Sequence, residues 1–243
     1  MIEGGVMKLF AFIASFILTG CVLSNLFVFQ GDSGTKENLP VTPAELKEMA
    51  GYCMQVYEKD PKKEFSYMVK HDRGVTIIII RGTDNVKNIG SDVDARPFKD
   101  RKLAATLHRG FRDAAEDIKN EIDKKVELND TIYITGHSLG GAIAQIMGYW
   151  YHGEGKTVQI YTFGAPKVST KYFGNTPQHF RVAMEHDPVP FVPIFPYIHS
   201  GINIDPETLN WRFTNDVGDV TKINAGEHSI GEYYKQLSKH LEL

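Results

Sequence analysis

Thr131-Ile132-Tyr133-Ile134-Thr135-Gly136-His137-Ser138-Leu139-Gly140-Gly141-Ala142-Ile143-Ala144 is the stretch that decides the fold. Its first five residues are β-branched or aromatic, as in a strand. The apolar residues from Leu139 to His152 are long enough and free enough of breakers to form a helix. Between the two lies Gly-x-Ser-x-Gly, in the strand-to-helix context that this motif requires. The reason is steric. The turn is so tight that side chains at Gly136 and Gly140, two before and two after the serine, would collide. Ser138 is forced into a strained backbone conformation with its hydroxyl standing above the sheet. The helix that follows aims the positive end of its dipole at charge developing there. The plainer reading is a glycine-rich turn with an incidental serine, and the flanking strand and helix argue against it.

Working outward, strands and helices alternate. Thr42-Pro43 opens a helix to about Glu58, with proline in its first turn. Residues 65–69 and 75–81 read as strands, and Ile77 to Ile80 lack any polar break. Such a run implies burial on both faces, as in a parallel sheet covered by helices. A helix over 108–127, the strand 131–135, the helix 139–152 and strands over 157–163 and 179–185 follow. The segment 186–227 is irregular and proline-rich, with strands expected near 209–213 and 219–223, and 228–240 closes as a helix. The alternation argues α/β with a mostly parallel central sheet flanked by helices.

The whole chain sets limits. It has 243 residues, 42% hydrophobic and 23% charged, with 22 Gly, 11 Pro and a formal charge of −3, an ordinary globular composition. That excludes disordered, collagen-like and coiled-coil readings. Two cysteines cannot make a disulfide scaffold, and neither sits at zinc-ligand spacing. The absence of a basic run argues against nucleic acid as a partner. No metal cluster, phosphate loop or dinucleotide fingerprint is present, so no cofactor is expected.

The N-terminal segment reads as addressing. Lys8 precedes an apolar run from Leu9 to Leu18, and the run ends in Leu18-Thr19-Gly20-Cys21. A positive flank, about ten apolar residues and then small ones is the layout of a secretory signal. Its end resembles the bacterial lipobox, which makes Cys21 a lipidation site and a membrane anchor. Two or more acyl chains hold stably. The expected division is therefore a signal peptide over 1–20, a lipidated N-terminus and tether over 21–41 (with Asp32 to Asn38 as the polar tether), and a catalytic domain over 42–243. The alternatives are a single N-terminal transmembrane helix, since apolar residues continue past Cys21 to Phe29, or simple secretion. Each of these sends the remainder out of the cytoplasm into or beyond the cell envelope.

A serine hydroxyl needs a base to remove its proton and a carboxylate to orient that base. The chain order for this motif is Ser, then Asp or Glu, then His. Asp187, in Glu185-His186-Asp187-Pro188, follows a predicted strand and so stands where parallel sheets place their sites. Asp205 and Asp216 remain alternatives. Of nine histidines, His71 and His108 precede the serine, and His137 adjoins it and is expected to pack on the motif. His152 and His179 precede the acid, His186 is beside it, and His240 is near the end. His228, in Gly226-Glu227-His228-Ser229, is the favoured base and His199 its rival.

With these residues in view, the chain resembles the class 3 lipases, the fungal triacylglycerol type and their bacterial relatives. The resemblance runs from about Ala44 to Tyr234. It rests on Arg81-Gly82-Thr83, His108-Arg109-Gly110-Phe111, the Gly136–Gly141 elbow, Phe163 to Val168, Phe180 to Pro190, Tyr197 to Gly201 and Glu227-His228. It implies an α/β-hydrolase fold, the triad Ser138, Asp187 and His228, and an oxyanion hole at Thr83 and Leu139. It also implies a carboxylic ester hydrolase acting on lipid esters through an acyl-enzyme, a triacylglycerol lipase or esterase. Two features depart from the family. Residues 84–107, where a lid is expected, carry nine charged side chains between Asp84 and Lys102 and no tryptophan. His186 replaces the family's Asn before the acid. A phospholipase or lysophospholipase acting on membrane lipid is the alternative function, and a non-catalytic lipase-like surface protein a further one. Phe191 to Tyr197 is apolar and proline-rich enough to be an acyl-pocket wall, a membrane-facing rim or a buried loop.

Overall fold

The computed structural model describes residues 30–59, 66–83, 94, 96–193, 195–214 and 223–241. Cys21 with its apolar run, Asp84, Lys87, Asp92, Asp216 and most of the strand expected near 219–223 lie outside the described residues.

Ten strands and four α-helices are described. In chain order they are β1 (Gln30–Gly34), α1 (Pro43–Lys59), β2 (Tyr67–Asp72), β3 (Val75–Ile80), β4 (Pro97–Asp100), β5 (Ala105–His108), α2 (Arg109–Lys125), β6 (Thr131–His137), α3 (Leu139–Gly153), β7 (Thr157–Phe163), β8 (Gln178–Val182), β9 (Ile202–Ile204), β10 (Trp211–Thr214) and α4 (Ile230–Ser238). Eight strands form one sheet in the order β1-β10-β9-β8-β7-β6-β3-β2. Successive strands from β3 through β6, β7 and β8 to β9 pair in parallel, and β2 closes one edge antiparallel to β3. At the other edge β10 is antiparallel to β9 and β1 to β10, so β1 resumes the common direction.

The unbroken isoleucine run of β3 divides by side-chain alternation. Ile78 and Ile80 join Ile132, Ile134, Val158 and Ile160 against α2 and α3, whereas Ile77 and Ile79 join Tyr161 and Phe163 against α1 and α4. Helix α3 is buried continuously from Leu139 to Tyr151, because it is covered by the sheet on one side and by α2 on the other. A helix apolar all round is the sequence mark of that position. The buried Arg181 binds the thin end of the sheet together. It donates to Asn203 Oδ1 of β9 at 2.9 Å and to the Thr214 carbonyl of β10 at 2.8 Å.

Several expectations need correction. Asp32 to Asn38, expected as a polar tether, contributes to the edge strand β1 and then a 3-10 turn over Lys36–Asn38. Asn38 Oδ1 accepts from Trp211 Nε1 at 3.1 Å, so backbone pairing and one amide hold a segment without apolar patterning. The second half of the expected lid, residues 97–107, lies in the β4–β5 ribbon, which ends at His108. Its fixed point is Asp100, 4% exposed, which accepts from Leu103 N and from Trp150 Nε1. The closing helix starts at Ile230 and not at His228, because Ser229 Oγ caps it by accepting from Gly231 N at 3.2 Å. The strand expected over 179–185 ends at Val182, which frees the next residues to form the loop that carries Asp187.

Cys53 is fully buried in α1, 3.3 Å from Thr135 Oγ1, and burial pushes its thiol up to about 12. Since the thiolate is the reactive form, Cys53 should stay unlabelled by a thiol reagent at pH 8 in the folded protein and label fully in denaturant. Mass mapping of the Cys53 peptide checks this, and labelling under native conditions would contradict the packing described for α1.

Candidate active site

Ser138 is the single residue between β6 and α3, at φ 58° and ψ −130°. Such a conformation costs on the order of 1–3 kcal/mol and persists only where its surroundings enforce it. Here the Ser138 N–H donates to the Phe163 carbonyl at 2.9 Å, and the Ser138 carbonyl accepts from Gly141 N at 2.9 Å and Ala142 N at 3.2 Å. The glycine requirement is as expected. A Cβ at Gly136 would overlap the Gly140 carbonyl group, and one at Gly140 would overlap the Ile80 carbonyl oxygen. Three elements, β6, α3 and the end of β3, therefore meet at backbone contact.

Leu139 and Gly140 are the first residues of α3, where N–H groups have no acceptor within the helix. The Arg81-Gly82-Thr83 segment lies against this end, since a Cβ on Gly82 would sit 3.2 Å from Gly140 N. The two residues expected to bind an oxyanion, Thr83 and Leu139, thus belong to adjoining segments.

The other two expected residues reach the same point. Ser138 Oγ–H donates to His228 Nε2 at 2.9 Å, and His228 Nδ1–H donates to Asp187, 2.9 Å from each carboxylate oxygen. His228 ends a 3-10 turn over Ala225–His228, and Asp187 lies in the loop after β8. Ser138 and Asp187 are fully buried and His228 is 3% exposed. Burying a carboxylate is unfavourable unless its lone pairs are satisfied. Asp187 meets that condition with two further donors, Val189 N at 2.9 Å and the Tyr233 hydroxyl at 2.6 Å. Tyr233 itself accepts from Met184 N at 3.2 Å. Burial, then the charge of Asp187, holds its phenol well above the usual range, so it remains a donor. Sequence reasoning missed Tyr233; the available signal was a tyrosine five residues past His228, in the first turn of the helix that follows it.

His137 packs on the motif as expected. Its Nε2–H donates to the His228 carbonyl at 2.6 Å, which leaves Nδ1 to accept from the Tyr57 hydroxyl at 3.0 Å. Burial, then the neighbouring His228, holds it well below 6.5 and hence neutral. The rivals fall elsewhere. His199 Nε2–H donates to the Pro190 carbonyl at 2.7 Å, and Asp205 caps a turn by accepting from Glu207 N and Thr208 Oγ1. In the segment 191–197, Phe191 and Tyr197 are buried while Phe195 is 77% exposed. A separate cleft of about 670 Å³, lined by Glu185, Asn203, Asp205, Trp211 and Arg212 among others, contains none of Ser138, Asp187 and His228.

Residues 77–197 match the family model described as Lipase (class 3). A secreted mono- and diacylglycerol lipase of Fusarium solani is 30% identical over 138 residues, 51% of this chain and 41% of that protein. A lipase of Rhizopus niveus is 30% identical over 160 residues, 56% of this chain and 40% of that protein. The chain thus spans about two fifths of the length of these curated relatives. The structure of a Rhizomucor miehei lipase–propeptide complex superposes with a TM-score of 0.56 at 18% identity, over 82% of each chain, and shares the fold.

Four buried histidines set a pH dependence. Burial lowers His108 to about 4 and His179 to about 3, and holds His137 and His199 well below 6.5. In the unfolded chain each titrates near 6.5, so below that pH the unfolded state binds more protons. Their contribution is fully present above pH 6.5 and is lost as pH falls, at pH 5 by about 2 kcal/mol for each group still neutral in the fold. The urea midpoint should therefore drop steeply between pH 7 and 5, and an unchanged midpoint would contradict neutral burial.

Proposed function

We propose that the chain is a member of the class 3 lipase family, whose model its residues 77–197 match, and that it hydrolyses carboxylic esters of lipids through an acyl-enzyme on Ser138. The observation that carries this reading is the hydrogen-bonded series from Ser138 Oγ through His228 to Asp187, with 2.9 Å at each step. In the proposed mechanism His228 takes the Ser138 proton as the oxygen attacks the ester carbonyl. Asp187 keeps the ring in the tautomer with its proton on Nδ1 and stabilises the imidazolium that forms. The backbone N–H groups of Leu139 and Thr83 receive the oxyanion, each worth about 3–4 kcal/mol in the transition state. The intermediate then collapses: the ester C–O bond breaks, and His228 gives its proton to the departing alcohol as the acyl-enzyme forms. Water attacks the acyl-enzyme with His228 again as base, and the acid leaves as Ser138 Oγ regains its proton.

Support for a lipid ester as substrate comes from the relatives' names, mono- and diacylglycerol lipase and lipase. Export belongs to the same proposal, with Cys21 as the site of a lipid anchor and the membrane as the surface on which substrate is met. No helix among the described residues is long and apolar enough to cross a membrane. The mass of the mature N-terminal peptide checks the anchor: an acylated Cys21 supports it, and an unmodified N-terminus ahead of residue 21 overturns it.

The test of function is hydrolysis of p-nitrophenyl esters of increasing acyl length, a triglyceride emulsion and phospholipid vesicles. The expected outcome is turnover of acyl esters that Ser138→Ala reduces by at least about 10³-fold. Preference for vesicles would move the reading to a phospholipase. A folded protein inert on every substrate would leave a non-catalytic lipase-like role. Tyr233→Phe removes one donor to a buried carboxylate, an interaction of about 1.5–3 kcal/mol. Steady-state kinetics should show kcat reduced roughly 10-fold with KM little changed, and an unaltered kcat would mean that the tyrosine does not support the acid.

A further inference from the structure

Asp187 and His228 come from two loops, one after β8 and one before α4, and the residues preceding them are bonded to each other. His186 Nδ1–H donates to Glu227 Oε1 at 3.2 Å, and the His186 backbone N–H donates to Glu227 Oε2 at 3.3 Å. Asn224 closes the ring. Its backbone N–H donates to the His186 carbonyl at 2.8 Å, and its Nδ2 donates to Glu227 Oε1 at 3.1 Å. Glu227 N in turn donates to the Asn224 carbonyl at 3.1 Å. The two side chains are only partly exposed, His186 at 32% and Glu227 at 19%.

This is more connection than two loops need in order to pack. The Glu227 carboxylate receives three donors from the two loops, and the residue after it is the base. Its principal partner is the residue before the acid. Each covalent step from clamp to triad is one peptide unit, so a shift of the clamp moves His228 relative to Asp187 directly. A misplacement of about 1 Å between catalytic groups can cost on the order of 10²-fold in rate.

We propose that Glu227, with His186 and Asn224, is a positioning clamp that sets the separation and direction of the Asp187–His228 pair. The inference rests on the hydrolase reading above. It also accounts for the departure at position 186, where the family resemblance leads to Asn. The Nδ2 of an asparagine branches at the same distance from the backbone as imidazole Nδ1, so both residue types can donate to the Glu227 carboxylate. An alanine cannot.

The experiment uses the complete chain and four variants: His186→Ala, Glu227→Ala, the double alanine variant and the conservative His186→Asn. Four quantities are read: kcat and KM on a short soluble p-nitrophenyl ester, the thermal midpoint, and the low-field proton NMR signal of the hydrogen shared by His228 Nδ1 and Asp187. That signal is assigned by its loss in His228→Ala. Each single alanine variant should lose about 10- to 100-fold in kcat with KM within about twofold, and the low-field signal should shift or broaden. The double variant should be little worse than either single one, because all three remove the same device. His186→Asn should keep kcat within about threefold of the wild type and retain the signal. The clamp is overturned if the alanine variants melt earlier but keep kcat and the signal. It is equally overturned if His186→Asn falls as far as His186→Ala, or if the two alanine losses multiply. A wild type without ester turnover would sink the hydrolase reading alone, provided its low-field proton is present and disturbed in the alanine variants. Absence of both overturns the two together.

Discussion

The backbone of Ser138, held at φ 58° and ψ −130°, is the constraint on which the rest of the structure depends. A serine has no preference for that conformation, so the surrounding chain must supply it. The supply is contact between main chains. The helix start at Gly140 presses on the Ile80 carbonyl of the neighbouring strand, and Gly136 presses on the helix start. Such an approach is possible only where two parallel strands end beside each other and a helix leaves immediately. The parallel pairing of β3 with β6, the all-round burial of α3 and the position of the Arg81-Gly82-Thr83 segment are therefore parts of one arrangement.

Around that turn the structure holds an ionisable acid where solvent cannot reach it. A lone carboxylate there would leave buried oxygens without partners, at a cost. The Asp187 carboxylate instead has donors from His228, Val189 N and Tyr233, a set that satisfies its oxygens and fixes its direction. The histidine of the motif, His137, is directed by two hydrogen bonds, one of them to the backbone of His228. His228 is consequently held from its ring by Asp187 and from its main chain by the elbow, and its freedom to turn away from Ser138 is small.

The parts of this arrangement legible in the sequence were those with strong local signatures. The isoleucine run of β3, the elbow glycines and the Pro43 helix start each express a steric demand that few residue types meet. Chain order sufficed to prefer Asp187 and His228. What stayed hidden depends on pairing at long range. Strand β1 consists of Gln30-Gly-Asp-Ser-Gly34, a sequence with turn-like composition that becomes a strand because β10 offers an open edge. Strand β9 is only three residues long, too short for any periodicity to show. The β4–β5 ribbon is charged, and the burial of Asp100 within it depends on Trp150, fifty residues away. Tyr233 reads locally as one more aromatic on the buried face of an amphipathic helix, and only its hydroxyl distinguishes it.

The direction of β1 has a mechanical consequence. Because β1 runs with the parallel strands, Gln30 lies at their amino ends and Gly34 at their carboxyl ends, the end from which Ser138 and Asp187 project. The described domain thus begins at one pole, and the hydrogen-bonded series of Ser138, His228 and Asp187 stands at the other. A load applied ahead of Gln30 would peel the edge strand β1 from β10 before it reached the elbow.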